Sequence, residues 1–433
     1  MPFEAAKQLF IQGLAQVERG ALPQAEASFE DSLRLLPDRP STLTNLGAVK
    51  LGLGKPAEAL PLLEKACALE PTNAQSWGYR GKALGKLQRK PEALGCLEQA
   101  AQMEPTHAQL WLHCFEAQLE LRQLPQALAS LDKALALQPE HASAWGNRGL
   151  LLKELGRLPE AATCFERAMA AGADAELMRY YLAGLRVTEV DAAVSGALAP
   201  TATPNAPPNA PRSYVENLFD SYAADFQTHL LNNLRYQGHA QLVSRFQATA
   251  GQPAQRFTSV LDMGCGTGLA GVCIRPQADH LEGLDLSAVM VAQARATGVY
   301  DALFHDDLLS HLKATQRRYD LAMAADVFIY VGELSAVFAA VKQVLLPSGQ
   351  FCFTVELAAL EQGEGTGAGA RSATRDAKGV QLMPSLRYTH SETYVRQLAE
   401  QYGFAVEAVE RHALREEQRE VLNGLYIYLK IAI

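Results

Sequence analysis

The chain has 433 residues, an apolar fraction of 48% and a formal net charge of −8, which suits two or three domains with real cores and excludes a mainly disordered protein. Basic and acidic residues number 20 and 22 before Asp191, and 19 and 25 from there on. Neither half therefore carries the positive excess typical of proteins that bind nucleic acid or anionic membranes.

The cysteines and the N-terminus exclude further classes. The seven cysteines form no CxxC pair, so we expect neither a structural zinc site nor a disulfide framework, and no metal site is predicted. The opening MPFEAAKQLF lacks a basic start followed by an apolar core, and no apolar run reaches the ~18 residues of a membrane span. We expect a cytoplasmic protein that does not enter a membrane.

The first 170 residues carry a repeat. Prolines at 37, 71, 105 and 139 lie 34 residues apart, and Ala, small residues and Gly recur with the same period. The three tryptophans of the chain, at 77, 111 and 145, share one phase of it. Small residues let two antiparallel helices approach closely, while Trp and Leu fill the groove to the next pair, so stacking of the pairs is required.

This pattern resembles the tetratricopeptide repeat (TPR) family over residues 6–173, as five repeats in an all-α solenoid. Phe115 stands where the pattern has Gly, and Ala173 replaces the last Pro. The stretch ADAELMRYYLAGL that follows is predicted to be a capping helix. The resemblance implies a protein or peptide partner, whereas the alternative is an array that only packs against its neighbouring domain or against itself.

The stretch from 191 to 212 separates two regions of different character. It contains five prolines with Ala, Thr and Asn and almost no charge, so it cannot form a core and is predicted to be an extended linker. We therefore predict an array over residues 1–190, a linker over 191–212 and a second domain over 213–433.

The second domain alternates strand and helix patterns. Predicted strands are 259–263, 280–286, 302–304, 319–325, 350–356, 404–410 and 424–431, and predicted helices lie near 268–276, 287–297, 333–346 and 391–402. The alternation predicts an α/β, Rossmann-like fold with a mostly parallel seven-stranded sheet. The last two strands have no helix between them, which predicts an antiparallel closing hairpin.

The sequence VLDMGCGTG ends the first predicted strand. Gly264, Gly266 and Gly268 allow a sharp turn and a close approach to a ligand. The third Gly lies one place early for the dinucleotide motif GxGxxG, which would need Gly at Leu269, and no Gly-Lys-Ser/Thr follows as in a Walker loop.

Acidic residues end the next strands. Asp285 lies in EGLDLS, where a carboxylate can accept both hydroxyls of a ribose, and Ser287 is placed to cap the following helix. Asp306 or Asp307, in FHDDLL, is placed to receive an adenine amino group, with Leu308 nearby, and Asp326 follows the fourth strand. Ligands of open α/β sheets bind at these carboxyl ends.

Residues 213–433 thus resemble a class I S-adenosylmethionine (SAM)-dependent methyltransferase, by the motifs LDMGCGTG and EGLDLS. The resemblance implies that Gly264 and Gly266 meet the methionine moiety, Asp285 the ribose and Asp306 the adenine, and that the product is S-adenosylhomocysteine. In this family a helix at the position of YVENLFDSYAADF commonly closes over the cofactor, and Tyr222 is our candidate contact there. The predicted cofactor set is Asp262, Gly264, Cys265, Gly266, Gly268, Asp285, Leu286, Met290, Asp306, Asp307, Leu308, Asp326 and Tyr222.

Candidates for handling the methyl acceptor come from two other stretches. DVFIYVGEL supplies Asp326 and Tyr330 beside the expected methyl position, and LRYTHSETYV supplies His390 as a candidate base. Arg387, Tyr388 and Tyr394 are predicted to contact the acceptor. Asp262 is also expected to orient the glycine loop by accepting from its backbone amides.

The whole order resembles predicted bacterial methyltransferases fused to TPR repeats. We therefore expect a methyltransferase whose array recruits or orients a protein or peptide. One alternative is a small-molecule methyltransferase with a structural or oligomerising array. A non-enzymatic scaffold or sensor that binds SAM is another.

Overall fold

The computed structural model describes residues 2–193, 207–222, 230–231, 234–247, 253–357, 379–417 and 420–432, without the side chains of residues 186–193, 221–222, 417 and 420. The chain divides into two compact units, Met1–Ala173 and Asp174–Ile433. Within the described residues, no helix is both long enough and apolar enough to cross a membrane. The same residues contain no cluster of His, Cys, Asp or Glu side chains fit to hold a metal ion.

The first unit consists of helices, paired along the chain. They are α1 (Pro2–Glu18), α2 (Leu22–Leu35), α3 (Pro40–Gly52), α4 (Pro56–Leu69), α5 (Ala74–Lys86), α6 (Lys90–Met103), α7 (Ala108–Glu120), α8 (Leu124–Leu137), α9 (Ala142–Glu154) and α10 (Leu158–Ala170). The 34-residue period is thus one pair of helices, and the repeating prolines lie just beyond the second helix of a pair. The predicted all-α array is confirmed.

Glycine lets the two helices of a pair touch. A Cβ atom built on Gly149 would lie 2.5 Å from Cε1 of Phe165, and one on Gly13 would lie 2.5 Å from Cε1 of Phe29. Each tryptophan side chain is fixed by its own repeat, because its indole N–H donates to the carbonyl of the proline six residues earlier. Those three bonds are Trp77 to Pro71, Trp111 to Pro105 and Trp145 to Pro139.

The second unit is an α/β fold. Its helices are α11 (Ala175–Ala193), α12 (Arg212–Tyr222), α13 (Gly238–Ser244), α14 (Leu269–Ile274), α15 (Ala288–Ala296), α16 (Leu308–Ala314), α17 (Ser335–Val344) and α18 (Glu392–Gln401). Its strands are β1 (Val260–Met263), β2 (Leu281–Asp285), β3 (Ala302–His305), β4 (Tyr319–Ala324), β5 (Leu345–Glu356), β6 (Val380–Leu382), β7 (Tyr388–His390), β8 (Phe404–Glu417) and β9 (Glu420–Ile431).

The sheet is parallel in its centre and antiparallel at its end. Strands β3, β2, β1, β4 and β5 run parallel in that order, and β5 pairs antiparallel with β9, which pairs with β8. The seven predicted strands and the closing hairpin are therefore confirmed. Two short strands, β6 and β7, extend the sheet beyond the prediction, because β7 pairs with the last residue of β5. The carboxyl ends of β1 to β5 all lie at one edge.

Helix α11 groups with the second compact unit, which begins at Asp174, whereas the sequence predicts an array that extends to residue 190. Tyr180 is fully buried, donates from its hydroxyl to the carbonyl of Leu386 at 2.5 Å and packs against Tyr388. The predicted capping stretch is thus built into the α/β unit through β7 and the turn before it.

The last part of the predicted linker is also bound to this unit. Residues 207–210 run along residues 330–333, with an antiparallel bridge between Asn209 and Val331. The Tyr388 hydroxyl donates to the carbonyl oxygen of Pro207 at 2.5 Å. The N–H of Glu333 donates to the carbonyl oxygen of Pro208 at 2.9 Å. Residues 207–210 therefore form a strap along residues 330–333. Residues 194–206 of the predicted linker lie outside the described residues.

Candidate active site

The glycine loop turns sharply between β1 and α14. Gly264 has φ +70°, and a Cβ built on it would lie 2.5 Å from Cγ2 of Val327, so this position cannot hold a side chain. Gly266 has φ +53°, and a Cβ there would meet nothing within 4 Å. The loop therefore presents bare backbone to an open space.

Asp285 joins this loop to the end of β2. Its Oδ2 accepts from the N–H of Gly266 and its Oδ1 from the N–H of Ser287, both at 2.9 Å. Burial raises the pKa of Asp285 above its ordinary value, while the bonds from Ser287 and Gly266 oppose that rise. The backbone of Leu286 also donates to this carboxylate. Since an ionised carboxylate has about four acceptor sites, capacity for a ligand hydroxyl remains.

Asp306 and Asp307 have different tasks at the end of β3. Asp307 caps α16, because its Oδ1 accepts from the N–H of Ser310 at 3.0 Å. Asp306 Oδ1 accepts from the N–H of Asp307 at 2.8 Å, its Oδ2 lies 3.9 Å from Nδ1 of His311, and the residue lines the cavity. The geometry favours Asp306 as the acceptor for an adenine amino group.

A cavity of about 530 Å³ opens along this edge of the sheet. That volume lies within the ~300–1,000 Å³ of small-molecule sites. Its lining includes predicted cofactor residues at the ends of four strands: Gly264, Cys265, Gly266, Asp285, Leu286, Asp306, Asp307, Leu308 and Asp326. The structure thus brings most of the predicted cofactor set together in one place.

Helix α12 and the strap cover the cavity. Val215, Leu218 and Phe219 of α12 line it, and the ring of Phe219 meets that of Tyr330 edge-on at 5.5 Å. Asp220 of the same helix accepts from the hydroxyl of Ser287 at 2.6 Å, which fixes α12 to the start of α15. The side chain of Tyr222, our candidate on this helix, lies outside the described residues.

A buried ion-pair network lies at the end of β4. The Arg415 guanidinium donates to Asp326 Oδ1 at 3.2 Å and to Glu356 Oε2 at 2.6 Å, and its side chain is 1% exposed. Two backbone irregularities bring Asp326 and Arg415 together. Asp326 has φ +60°, and its N–H donates to Thr354 Oγ1. A bulge between Ala413 and Arg415 interrupts β8.

Tyr330 and Arg387 complete this end of the cavity. Both line it, and burial raises the pKa of the Tyr330 hydroxyl while the charge of Arg387 and a hydrogen bond from it oppose that rise. Burial also raises the pKa of Glu356, against the positive charges of Arg415 and Arg387. Two guanidiniums and two carboxylates therefore lie together beside the ends of β4 and β5.

His390 does not face the cavity, so its predicted role as a base is wrong. It is fully buried, and its Nε2 lies 2.9 Å from the carbonyl oxygen of Gly332. Burial lowers its pKa to about 4. Tyr388 and Tyr394 are also structural: the first binds the strap, and the Tyr394 hydroxyl accepts from the N–H of Leu334 at 2.9 Å. Of the predicted acceptor contacts, Arg387 alone lines the cavity.

Three predicted cofactor contacts lie beside the cavity rather than in it. Met290 lies on the buried face of α15 and is 1% exposed. Gly268, with φ +93°, is the N-cap of α14. Asp262 is buried and accepts from the Tyr300 hydroxyl at 2.7 Å, not from the loop amides as predicted. Burial raises the pKa of Asp262 to about 7.

Several cavity residues lay outside the prediction. Arg415, Tyr236 and His239 line the cavity, and Tyr236 stacks on His239 with ring centroids 5.3 Å apart. Arg415 lies beyond the predicted strand 404–410, in the charged stretch REEQRE, so no pattern in the sequence singles it out. The bulge between Ala413 and Arg415 interrupts β8 directly before it. Three further lining residues each carry a buried polar side-chain atom without a partner among the described residues, namely Asn209 (Oδ1), Thr267 (Oγ1) and His239 (Nδ1).

Comparison with protein families agrees with this architecture. Residues 225–409 match a family model described as methyltransferase domain. Residues 44–108 and 115–185 match one described as tetratricopeptide repeat. The chain therefore carries a TPR region and a methyltransferase domain.

Two curated relatives are O-methyltransferases. The ubiquinone biosynthesis O-methyltransferase of Serratia proteamaculans (strain 568) is 29% identical over 100 residues, which cover 22% of this chain and 42% of the relative. The malonyl-[acyl-carrier protein] O-methyltransferase of Enterobacter lignolyticus (strain SCF1) is 31% identical over 121 residues, which cover 28% of this chain and 48% of the relative. The chain spans less than half the length of these relatives.

Similar solved structures include MamA, at 22% identity and a TM-score of 0.35, covering 37% of this chain and 93% of that chain. Another is pilF of Pseudomonas aeruginosa, at 20% identity and a TM-score of 0.39, covering 45% of this chain and 95% of that chain.

Proposed function

We propose that the second unit is a SAM-dependent methyltransferase and that the cavity at the carboxyl ends of β1 to β4 holds the cofactor. The observation that carries this proposal is the bond from Gly266 to Asp285, which fixes a bare glycine loop and a carboxylate side by side. Further support for a polar ligand comes from lining residues that each carry a buried polar atom without a partner among the described residues, namely Asn209, Thr267 and His239.

The residues present suit each part of SAM. Asp285 would hold the ribose hydroxyls and Asp306 the adenine amino group, with Leu286 and Leu308 as apolar neighbours. The open space at Gly266 leaves room for the methionine moiety. The residues and the cofactor therefore fit.

When bound, SAM supplies a methyl group activated by its positively charged sulfur. The protein's own work is then to hold the acceptor in line with that methyl group and to exclude water. Phe219 and the rest of α12 close the cavity, and Tyr330 with Asp326 form its wall beside the end of β4. An ionised acceptor needs no base, whereas a hydroxyl or a protonated amine does.

We propose further that the TPR array recruits or orients a protein or peptide for this domain. Support comes from the repeated helix pairs, whose tryptophans are fixed in one orientation, and from the general use of such repeats as binding surfaces. The names of the two O-methyltransferase relatives support oxygen as the acceptor atom.

Labelling tests the enzymatic proposal. The full chain is incubated with a cell lysate and SAM carrying a labelled methyl group, and we expect label to be transferred. Asp285→Ala should abolish transfer, whereas Asp279→Ala, an exposed acid paired with Arg256 outside the cavity, should not. Saturable binding of SAM without any transfer would instead favour a scaffold or sensor.

A further inference from the structure

Two tryptophans of the array each lie under a positive charge from the second helix of the same pair. Lys133 of α8 lies over Trp111 of α7, with its Nζ 3.7 Å from the ring centroid. Arg167 of α10 lies over Trp145 of α9, with its guanidinium carbon 4.8 Å from the ring centroid. Lys133 and Arg167 are 34 residues apart in the sequence. The same arrangement of a cation over an indole ring is therefore built in two successive repeats.

A cavity of about 440 Å³ opens at the second of these rings. Its walls come from α8 and α10, the second helices of neighbouring pairs, and α9 contributes Trp145 and Arg148 between them. Leu135 and Pro139 add apolar surface. The indole N–H of Trp145 already donates to the carbonyl oxygen of Pro139 at 2.7 Å, so the ring offers a fixed apolar surface to a ligand. The volume lies within the ~300–1,000 Å³ of ligand sites.

Four charged side chains line this cavity, and three of them are paired within the array. Arg148 Nε donates to Asp132 Oδ1 at 2.7 Å. The two carboxylate oxygens of Glu160 accept from Arg157 at 2.7 and 2.6 Å. The guanidinium of Arg167, in contrast, makes no hydrogen bond or ion pair with another residue that the structure describes. The cavity therefore has one unpaired charge, and it is positive.

Lys133 has the same property one repeat earlier. Its ammonium group has no carboxylate partner in the described part of the chain. Glu98, an acid on α6, accepts instead from Gln118 Nε2 at 3.2 Å. The face of an indole ring attracts a cation but supplies no negative charge and no carboxylate oxygens. Since Lys133 and Arg167 are also exposed, both remain accessible to an anionic partner.

We propose that this face of the array binds an acidic, extended segment of a partner protein. A carboxylate side chain of the segment pairs with Arg167, and an adjacent apolar or aromatic side chain fills the cavity against Trp145 and Leu135. A second carboxylate pairs with Lys133. This inference rests on the proposed recruitment of a protein or peptide by the array, and it names the chemistry of that partner.

The composition of this face supports a protein segment as the occupant. Trp and Arg are enriched among the residues that carry most of the binding energy at protein interfaces, and complementary charges select the partner. The two cations lie in successive repeats, so a ligand that reaches both must be elongated. A nucleic acid is disfavoured because its many phosphates need a large positive patch, whereas the net charge of the chain is −8.

Selection from a random peptide library tests this proposal without a known partner. The library is displayed on phage and selected on the immobilised full chain, and enriched peptides are synthesised and titrated by fluorescence anisotropy. We expect enriched peptides to carry acidic residues beside an apolar or aromatic one, and to bind more weakly as salt is raised, because exposed charges are screened. Enrichment of basic or uncharged peptides would overturn the proposal.

Variants of the two cations locate the binding site. Arg167→Met and Lys133→Met should each weaken binding of an enriched peptide about fivefold, and the double variant at least ~10-fold, because exposed charge pairs are lost. The matched control removes Lys82 of α5 and Lys153 of α9, which do not line the cavity, and should bind like wild type. Thermal unfolding checks that each variant is folded. Weaker binding by the control variant, with the double variant unaffected, would overturn the proposal.

Two further measurements separate this inference from the functions proposed above. Calorimetric titration should give equal SAM affinities for wild type and the double variant, since both substitutions lie in the first unit. A loss of SAM affinity in the double variant would overturn the assignment of these residues to partner binding alone. If enriched peptides bind the double variant as tightly as wild type, recruitment by the array stands and this inference fails. If wild type selects no peptide, peptide recruitment itself fails and this inference falls with it.

Discussion

The acidic residues at the edge of the sheet differ in what surrounds them. Asp285 is held by backbone N–H groups of the loops it joins, and Asp326 by the buried guanidinium of Arg415. Asp262 Oδ2 accepts a hydrogen bond from the Tyr300 hydroxyl, while its Oδ1 has no partner among the described residues. Aspartate thus serves as a bridge between two loops, as an ion-pair partner and as a buried acid within one domain.

Asp262 should make the stability of the protein depend on pH. Its pKa in the folded state is about 7, against 3.8 ordinarily, so the fold favours the protonated form. Its contribution is present below about pH 4 and is lost as the pH rises to about 7, at about 1.4 kcal/mol for each unit of pKa difference. Asp262→Asn is neutral throughout, so the free energy of unfolding of wild type should fall relative to this variant between these pH values. A difference that stays constant in urea titrations would contradict this.

Arg415 should be essential for folding of the second unit. Arg415→Met leaves Asp326 and Glu356 buried without their cation, which is expected to cost about 3–5 kcal/mol. Arg411→Met, on the same strand, removes an ion pair at 3.2 Å that is half exposed and is expected to cost at most ~1 kcal/mol. Urea denaturation measures both. Equal losses for the two variants would show that the buried network adds nothing to stability.

The roles of residues at the site could be predicted from the sequence only where the residues that interact lie close together in the chain. Asp285 and the glycine loop are joined within 20 residues, and their spacing identifies them. Asp306 and Asp307 are neighbours in sequence, and only the capping bond to Ser310 tells them apart. His390 has the right chemistry for a base, but its orientation depends on contacts with Gly332, far away in sequence.

At the scale of elements, glycines set the packing of the array. Gly149→Ala places a Cβ 2.5 Å from the Phe165 ring, and overpacking of this kind costs about 1–3 kcal/mol. Gly95→Ala in α6 is the matched control, because a Cβ at this position meets nothing within 4 Å. This substitution should stabilise α6 by about 0.5–1 kcal/mol. In thermal unfolding of the full chain, Gly149→Ala should lower the melting temperature of the array and Gly95→Ala should raise it. Shifts of the same sign would contradict the packing described.

Helix α11 should stabilise the α/β unit. Tyr180→Phe removes the hydroxyl that bonds the carbonyl of Leu386 and leaves that buried acceptor unpaired, at a cost of about 1–3 kcal/mol. Tyr402→Phe is the control, since its hydroxyl makes no hydrogen bond among the described residues. Chemical denaturation followed by a probe in the second unit compares them. Equal stability of the two variants would argue that α11 is only loosely attached.

Regular elements could be predicted from periodicity, and the irregular ones could not. Seven strands follow from short apolar runs, and the array from its 34-residue period. The strap at 207–210 has the composition of a linker, yet the hydroxyl of Tyr388 and the backbone of Glu333 bind it. The strand β7 has only three residues, and its pairing with β5 depends on tertiary contacts.

For the whole molecule, we propose that the first unit recognises a partner and that the second unit transfers the methyl group. If the array recruits the acceptor as proposed, a chain that lacks residues 1–173 should bind SAM like the full chain but should label fewer proteins in a lysate. Calorimetry and a cooperative melting transition show whether the shortened chain is folded. If it labels the same proteins to the same extent, the array does not recruit the acceptor.

The cavity beside the glycine loop is proposed to hold SAM, and calorimetric titration of the full chain with SAM measures this binding. We predict saturable one-to-one binding, weakened at least ~10-fold in Asp285→Ala because a charged acceptor of hydrogen bonds is lost. Asp279→Ala should bind like wild type. Absence of binding by the wild-type protein, or equal affinity in Asp285→Ala, would contradict the claim.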